Sequence, residues 1–228
     1  MSVIDARGRV LRLTTAPQRV VSLVPSTTQT VFDLGAGHRL VGVTRYCVHP
    51  AAAKRVPRVG GTKDVDPALV AALQPDLILA NGEENTQATL DALDALAPLH
   101  VACPKTVDQA LADLLSIGAL LHTPADAWHA AITASRHHLR ALDRPRRRVA
   151  WLIWRNPWMT VTAETFIHDM LQQAGHDNVF ADLPGRYPTI TPDQLREADP
   201  DLILLSSEPF PFRARHADEL ARLTEIGR

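Results

Sequence analysis

The chain is poor in cysteine, in net charge and in long apolar runs, and each shortage excludes a class of protein. Two cysteines among 228 residues, Cys47 and Cys103, cannot form the disulfide framework of a small secreted domain. A net charge of -1, counted with neutral histidines, gives no basic surface for nucleic acid or for an anionic membrane. The longest apolar runs have only the length of a strand, so the sequence predicts no transmembrane helix.

Targeting and catalytic motifs are also missing from the sequence. The first residues, MSVIDARGRVLRL, have no apolar run long enough for the central region of a signal peptide. The chain as written is therefore predicted to be cytoplasmic, and a signal missing from this start would make it periplasmic. No G-x-S-x-G elbow, P-loop or G-x-G-x-x-G motif occurs, so we expect neither catalytic residues nor an intrinsic cofactor.

The pentapeptide PDLIL occurs twice, at residues 75–79 and 200–204. Each copy follows a segment of helical periodicity that starts with a good N-cap residue and a proline, the two caps being Asp66 and Thr191. Each copy is followed by a loop with a glutamate at the same offset. The repeated unit is a helix, a short buried strand and an acidic loop, which predicts a duplicated architecture.

Apolar segments alternate with helical segments along the whole chain. Strands are predicted at 19–24, 40–44, 75–80, 99–103, 148–154, 178–180 and 200–204, and helices at 27–34 (capped by Ser26), 67–74, 86–96, 106–121, 124–142, 164–175 and 192–199. Continuous apolar strands separated by helices are typical of parallel sheets covered on both faces. The alanine-rich helix without glycine divides the chain, so we predict an α/β protein with lobes at 1–122 and 145–228 and a connecting backbone helix at 123–144.

Two lobes predict a cleft, and parallel sheets bind ligands at the carboxyl ends of their strands. Aromatic residues form only 5% of the chain, yet they gather in the loops predicted at those ends. Flat apolar walls with a few polar groups suit a large planar or ringed ligand. Candidate contacts in these loops are Pro25, Ser26, Tyr46, Cys47, Asn81, Glu83, Trp154, Arg155, Trp158, Tyr187, Glu208 and Phe210. The alternative is that Trp151 and one of Trp154 or Trp158 fill the core of the second lobe.

The acidic loop residues have three alternative roles. They are solvated, they contact ligand amides or a partner's arginines, or Glu83 and Glu84 join Cys47 and His49 around a metal. No metal site is predicted, because C-x-H without a second Cys or His pair is a weak pattern and Cys47 is expected to be a small buried residue. Glu208 is the stronger functional candidate, since prolines and phenylalanines flank it in its loop.

The runs RVVSLVPSTTQTVFDLGAGHRLVGVT and VPRVGGTKDVDPALVAALQPDLILA resemble the helical-backbone substrate-binding proteins of ABC importers, in the branch that binds cobalamin and iron–siderophores. The likeness starts near Arg19 and includes VGGT at 59–62, both PDLIL copies and LLSSEPFPF near the end. It implies two Rossmann-like lobes with parallel sheets joined by one long helix. It also implies a monomeric, non-catalytic protein that binds a corrinoid, haem or siderophore and serves an importer permease. The alternative function is a cytoplasmic enzyme or regulator on the same scaffold that uses Cys47, His49, Glu83 and Glu84.

The resemblance assigns roles to individual positions. It places Tyr46 against the corrin ring, and it places Trp154 and Trp158 in the loop that supplies the ligand contacts of the second lobe. Thr62 lies where such binders can have a tryptophan, and Asn81 replaces an aromatic residue of the cleft.

Two further implications concern the transporter and the end of the chain. The family docks through one surface glutamate on each lobe, and the equivalent positions here are Ala68 and Asp193, so Asp193 is the expected docking residue. The family's fold usually ends with a further strand and helix, whereas this chain stops at TEIGR, which implies a truncated second lobe.

Overall fold

The computed structural model describes residues 2–224, and the chain divides into two units. One unit is Met1–Pro104 with Asp108–Ala131, and the other is Lys105–Val107 with Ile132–Arg228. The division falls inside helix α5 (Asp126–Ala141), which corresponds to the helix predicted over 124–142. The lobe boundaries at 122 and 145 stay a prediction. The last four residues of the TEIGR segment lie outside the described residues.

The first unit contains a parallel sheet with helices between its strands. Its strands are β1 (Ser2–Ile4), β2 (Val10–Arg12), β3 (Val20–Ser22), β4 (Leu40–Val43), β5 (Leu77–Asn81) and β6 (Leu99–Ala102). Its helices are α1 (Pro25–Asp33), α2 (Pro67–Ala72), α3 (Gln87–Asp94) and α4 (Val107–Leu121), with short 3-10 helices at Gly37–Arg39 and Ala51–Arg55. The order β4-β3-β5-β6, with every neighbouring pair parallel, confirms the predicted sheet type.

Both faces of this sheet are covered by apolar side chains, as continuous apolar strands require. Along β5, Leu77 and Leu79 pack in one buried cluster with Val31 of α1, whereas Ile78 packs in a second cluster with Leu93 of α3. Successive side chains of a strand point to opposite faces, so an unbroken apolar sequence is stable only when both faces are buried.

Strands β1 and β2 form an antiparallel hairpin that the sequence analysis did not predict. The carboxylate of Asp5 accepts the backbone N–H groups of Arg7 and Arg9 at 2.9 and 3.0 Å, which closes the turn. The guanidinium of Arg7 then donates to Asp94 of α3 at 3.0 Å and to the Leu99 carbonyl of β6 at 2.9 Å. The hairpin is therefore held beside the outer strand of the sheet.

The second unit contains a mixed sheet, which corrects the prediction of a parallel one. Its strands are β7 (Arg148–Trp154), β8 (Trp158–Thr160), β9 (Asp177–Asn178), β10 (Thr189–Ile190) and β11 (Leu202–Leu205), and its helices are α6 (Phe166–Gln173), α7 (Pro192–Glu197) and α8 (Ala214–Thr224). The order is β10-β8-β7-β11, with β9 also paired to β7. Strands β9 and β11 run parallel to β7, but β8 and β10 are antiparallel neighbours. The chain reverses direction after β7 at Asn156. This residue has a φ of 64°, in the left-handed region, which asparagine tolerates better than most residues.

The two PDLIL copies become strands of separate sheets, as a duplicated architecture requires. Strand β5 lies between β3 and β6, and Leu77 to Ala80 are buried. Strand β11 pairs with β7 and ends the strand order among the described residues, and its Leu202 is 41% exposed. The same pentapeptide is thus an inner strand in one unit and an outer strand in the other.

Two of the three predicted helix caps are confirmed. Asp66 accepts the N–H groups of Ala68 and Leu69, and Thr191 forms a reciprocal capping box with Gln194. Ser26 does not cap a helix, because α1 already begins at Pro25 and Val24 is its N-cap residue. Proline is favoured at the first helical position, where its missing N–H would have no partner within the helix.

No helix among residues 2–224 is long and apolar enough to cross a membrane.

Candidate ligand-binding site

The loop after β4 exposes one aromatic side chain beside an ion pair. Tyr46 is 55% exposed, and the guanidinium carbon of Arg45 lies 5.6 Å from the centre of its ring. Arg45 pairs with Asp64, whose carboxylate also accepts the Gly61 N–H at 3.1 Å. The hydrogen bond between them raises the pKa of Arg45 and lowers the pKa of Asp64. The exposed Tyr46 ring therefore lies next to a charged pair that keeps its charge at neutral pH.

Contacts made by Arg58 and by the buried Cys47 hold this loop in place. Arg58 donates to the carbonyls of Thr44 and Cys47 at 2.9 and 3.1 Å. The sulfur of Cys47 lies 3.1 Å from the hydroxyl of Thr28, and the residue has no exposed surface. Its burial agrees with the expected small buried residue. The role of Cys47 as a ligand contact stays a prediction, and a fully buried thiol would reach a ligand only if the loop rearranged.

The loop after β5 is closed by its own asparagines. The side-chain oxygen of Asn81 accepts the N–H groups of Glu83 and Glu84 at 2.8 and 3.1 Å. The side chain of Asn85 accepts the Asn81 N–H at 2.9 Å and donates to the Thr62 carbonyl at 2.8 Å. Asn85 is buried and joins this loop to the VGGT turn, a role that the sequence analysis missed. The acceptor of Asn81 is used inside its own loop, so any ligand contact falls to its amide nitrogen.

The remaining candidates of the first unit are accessible, but they do not form a metal site. Pro25 and Ser26 are exposed in the first turn of α1, and His49 is exposed in the loop after β4. Within residues 2–224 no three histidine, cysteine, aspartate or glutamate side chains are grouped so that they could hold a metal ion. The grouping of Cys47 and His49 with Glu83 and Glu84, on which the alternative function depends, is therefore not supported.

In the second unit, the loops after β7 and β11 bring their aromatic rings together. Trp154 meets Phe210 edge to face, with ring centres 5.5 Å apart. Phe210 meets Phe212 at 4.7 Å, and Phe212 stacks on Trp158 at 6.1 Å with the ring planes 4° apart. His216 of α8 lies against both phenylalanines at 5.3 and 5.7 Å. This aromatic cluster agrees with the prediction that the scarce aromatic residues gather in these loops.

The two tryptophans of the β7–β8 turn have different environments. Trp158 is 9% exposed and packs in the buried cluster with Phe180 and Leu195. Trp154 is 38% exposed. Trp158 thus packs in the core, as that alternative had it, and its role as a ligand contact stays a prediction that would require the core to rearrange. Only Trp154 offers a ring to a ligand without rearrangement of the core.

Arg155, between these tryptophans, is held by a partner from the distant helix α8. Its guanidinium donates two hydrogen bonds to the carboxylate of Glu219, both of 2.7 Å, and its carbon lies 5.8 Å from the ring centre of Trp158. This bidentate pair raises the pKa of Arg155 and lowers the pKa of Glu219. No sequence signal pointed to Glu219, because the pairing depends on how α8 packs.

The other candidates of the second unit lie at its surface. Tyr187 is exposed, with the guanidinium carbon of Arg186 5.5 Å from its ring centre. Glu208 is exposed in the loop after β11. Asp193 is exposed on α7 and accepts a hydrogen bond from Arg196. Nothing in the arrangement tests the ligand or docking roles of these residues, which stay predictions.

Comparison with known proteins places these features in a family context. The family model described as periplasmic binding protein matches residues 20–224. Vitamin B12-binding proteins of Yersinia pestis and Yersinia pseudotuberculosis are each 32% identical over 197 residues, which cover 84% of this chain and 70% of the relative.

Solved structures show the same fold. A periplasmic vitamin B12 binding protein of Vibrio cholerae has a TM-score of 0.76 at 23% identity, covering 90% of this chain and 83% of that one. A periplasmic heme binding protein from Pseudomonas aeruginosa has a TM-score of 0.79 at 22% identity, covering 92% of this chain and 78% of that one. These likenesses confirm the predicted α/β fold class.

Proposed function

Because the chain belongs to the periplasmic binding protein family, we propose that it captures a cobalamin-like corrinoid or another flat metal chelate and delivers it to the permease of an ABC importer. The chain is a substrate-binding protein and not an enzyme, and the alternative of a cytoplasmic enzyme or regulator is not supported. The names of the curated relatives favour a corrinoid, and those of the solved structures add haem as a second chelate.

The observation that carries this proposal is the position of the exposed aromatic rings. Each unit presents such a ring at or just after the end of a strand of its sheet: Tyr46 follows β4 in the first unit, and Trp154 ends β7 in the second, where the half-buried Phe210 lies against it. A scarce residue type concentrated at carboxyl ends of strands suits a ligand with large flat faces. Tyr46 and Trp154 are therefore the aromatic contacts that we assign to the chelate.

The proposal includes the compartment and the transporter. Relatives described as periplasmic support a periplasmic site of action for this chain. Asp193, exposed on α7, is our candidate for contact with the permease, and Glu208 is our candidate for contact with the ligand or a partner. We propose that the protein acts as a monomer.

Direct titration of the purified protein tests the proposal. Cyanocobalamin, cobinamide and haem are each titrated into the protein by isothermal calorimetry, with visible absorption spectra recorded in parallel. We expect saturable one-to-one binding of at least one chelate and weaker binding by Tyr46→Ala. Failure of all three chelates to bind a protein whose circular dichroism shows a folded α/β chain would contradict the proposed function.

A further inference from the structure

A pocket of about 570 Å³ in the second unit is lined by four charged side chains, an imidazole and a leucine. Its walls are Arg155, Arg215, His216, Glu219, Arg222 and Leu223. Arg215, Glu219 and Arg222 share one face of α8, because residues four and seven positions apart on a helix are neighbours. The loop after β7 contributes Arg155 to the opposite wall.

The pocket carries more positive than negative charge. Its one carboxylate, Glu219, is already bonded to Arg155 through two hydrogen bonds of 2.7 Å. Arg215 donates through its Nε to the imidazole of His216 at 3.2 Å, and Arg222 donates through its Nε to the carbonyl of Asp218 at 3.1 Å. Among the residues that the structure describes, neither Arg215 nor Arg222 forms an ion pair with a carboxylate. Among the described residues, the three arginines of the pocket thus face one carboxylate, and an added anion would balance that excess of positive charge.

His216 lines the pocket without adding a negative charge. Its imidazole is buried, and Nδ1 accepts the backbone N–H of Arg213 at 3.0 Å. Burial, followed by the charges of Arg215 and Arg155, lowers the pKa of His216. A neutral imidazole leaves the charge of the pocket to its arginines and to Glu219.

The pocket adjoins the aromatic cluster through His216. The imidazole lies 5.3 Å from the ring of Phe210, which in turn meets the exposed Trp154 at 5.5 Å. A flat ligand that stacks on Trp154 would thus have its peripheral groups close to α8. Guanidinium groups present paired donors that match the geometry of carboxylate and phosphate oxygens.

We propose that this pocket receives an oxyanion on the edge of the bound chelate, a carboxylate or a phosphate, through Arg215 and Arg222. The inference rests on the proposed function and narrows it, because the cargo is then an acidic chelate and not one whose edge carries only amides. Arg155 is a positioning residue here, since its Nε and Nη2 donate to Glu219.

Ligand pairs with and without the acidic group test this inference. Haem is compared with its dimethyl ester, and cobalamin with cobinamide, which lacks the phosphate together with the ribose and the base attached to it. The wild-type chain is compared with the double variant Arg215→Gln/Arg222→Gln and with Arg147→Gln, an exposed arginine of the same unit outside the pocket. We expect the double variant to bind the acidic member about tenfold more weakly, or worse, and the neutral member unchanged, while Arg147→Gln changes neither.

The outcomes separate the inference from the function on which it rests. If the double variant loses affinity for haem but not for its dimethyl ester, the oxyanion is a carboxylate. If it loses affinity for cobalamin but not for cobinamide, the oxyanion is a phosphate. If the wild-type chain binds a chelate but the double variant loses both members of the pair equally, or loses neither, the inference is overturned and the proposed function stands. If the folded wild-type chain binds no chelate, the proposed function fails and the inference fails with it.

Discussion

The two tryptophans of the β7–β8 turn should respond to alanine substitution in opposite ways. Trp158 is 9% exposed, stacks on Phe212 and packs in the buried cluster of the second unit. Truncating a core tryptophan removes its transfer free energy and leaves a cavity, which typically costs about 3–5 kcal/mol. We therefore expect Trp158→Ala to lower the free energy of unfolding by about that amount, and to abolish binding only because the unit unfolds.

Trp154→Ala should leave the fold nearly intact and weaken ligand binding. Trp154 is 38% exposed, and its aromatic contact is one edge-to-face pair with Phe210. Such a pair contributes about 0.5–1.5 kcal/mol beyond the apolar area that it buries, so the loss of stability should be smaller than that of Trp158→Ala, whose ring is buried more completely. The loss of a flat wall from the site should cost about 1.5–3 kcal/mol of binding free energy, or roughly tenfold to a hundredfold in Kd.

Urea unfolding followed by circular dichroism measures the stabilities, and calorimetric titration with the best-bound chelate measures the affinities. Trp128→Ala is the matched control, because Trp128 is 46% exposed on α5 and lies outside the candidate loops. Trp158→Phe keeps much of the apolar volume, so this variant should fold and bind nearly normally. The reasoning is refuted if Trp154→Ala loses as much stability as Trp158→Ala, or if Trp158→Phe loses affinity while its stability is unchanged.

Three further substitutions test the loops and the helix ends. Arg58→Ala should reduce chelate affinity severalfold in calorimetry, because it frees the two carbonyls of the Tyr46 loop, whereas Arg55→Ala should not. Burial opposes ionisation of Asp5, but hydrogen bonds from its two neighbouring arginines lower its pKa below the ordinary 3.8. The stabilisation from Asp5 should therefore be complete above that pH and be lost as the pH falls through the lower folded value, and Asp5→Asn should flatten the acid end of a urea-unfolding profile. Asp66→Ala should cost about 1 kcal/mol in thermal or urea unfolding, whereas Ser26→Ala should cost almost nothing.

Each of these three predictions would be contradicted by a specific result. Equal affinity of the two arginine variants would mean that the loop keeps its shape without Arg58. An acid profile that Asp5→Asn leaves unchanged would mean that the carboxylate titrates with an ordinary pKa. Equal losses for Asp66→Ala and Ser26→Ala would mean that the helix ends are stabilised by something other than their caps.

Local features could be predicted from the sequence because neighbouring residues cause them. The caps at Asp66 and Thr191 depend on backbone N–H groups two or three residues away, and the strand at 148–154 has the bounds that its β-branched and aromatic run indicates. Strands β8 and β10 were missed because two- and three-residue strands have no periodicity of their own. Their pairing comes from the partner strand and not from their own residues.

Some features of the candidate site could be predicted from the sequence, and others depend on tertiary packing. The gathering of aromatic residues in a few loops was visible in the sequence, because loops after parallel strands share one edge of a sheet. Which ring is exposed was not visible, since Trp154 and Trp158 differ only in the side of the turn on which they lie. Glu219 and Asn85 were missed because each acts on a residue of another element, Arg155 after β7 in one case and the VGGT turn in the other.

The sequence by itself determined the α/β class, the helix caps at Asp66 and Thr191, the two PDLIL strands and the loops that hold the aromatic residues. These follow from hydrophobic periodicity and from hydrogen bonds that close within a few residues. The tertiary structure alone decided that β5 is an inner strand and β11 an outer one, that Trp158 is core, and that Arg155, Arg215 and Arg222 meet around one carboxylate. The burial and the electrostatic environment of a residue depend on which distant elements pack against it. The same local sequence can therefore be buried in one unit and partly exposed in the other, as the two PDLIL copies are.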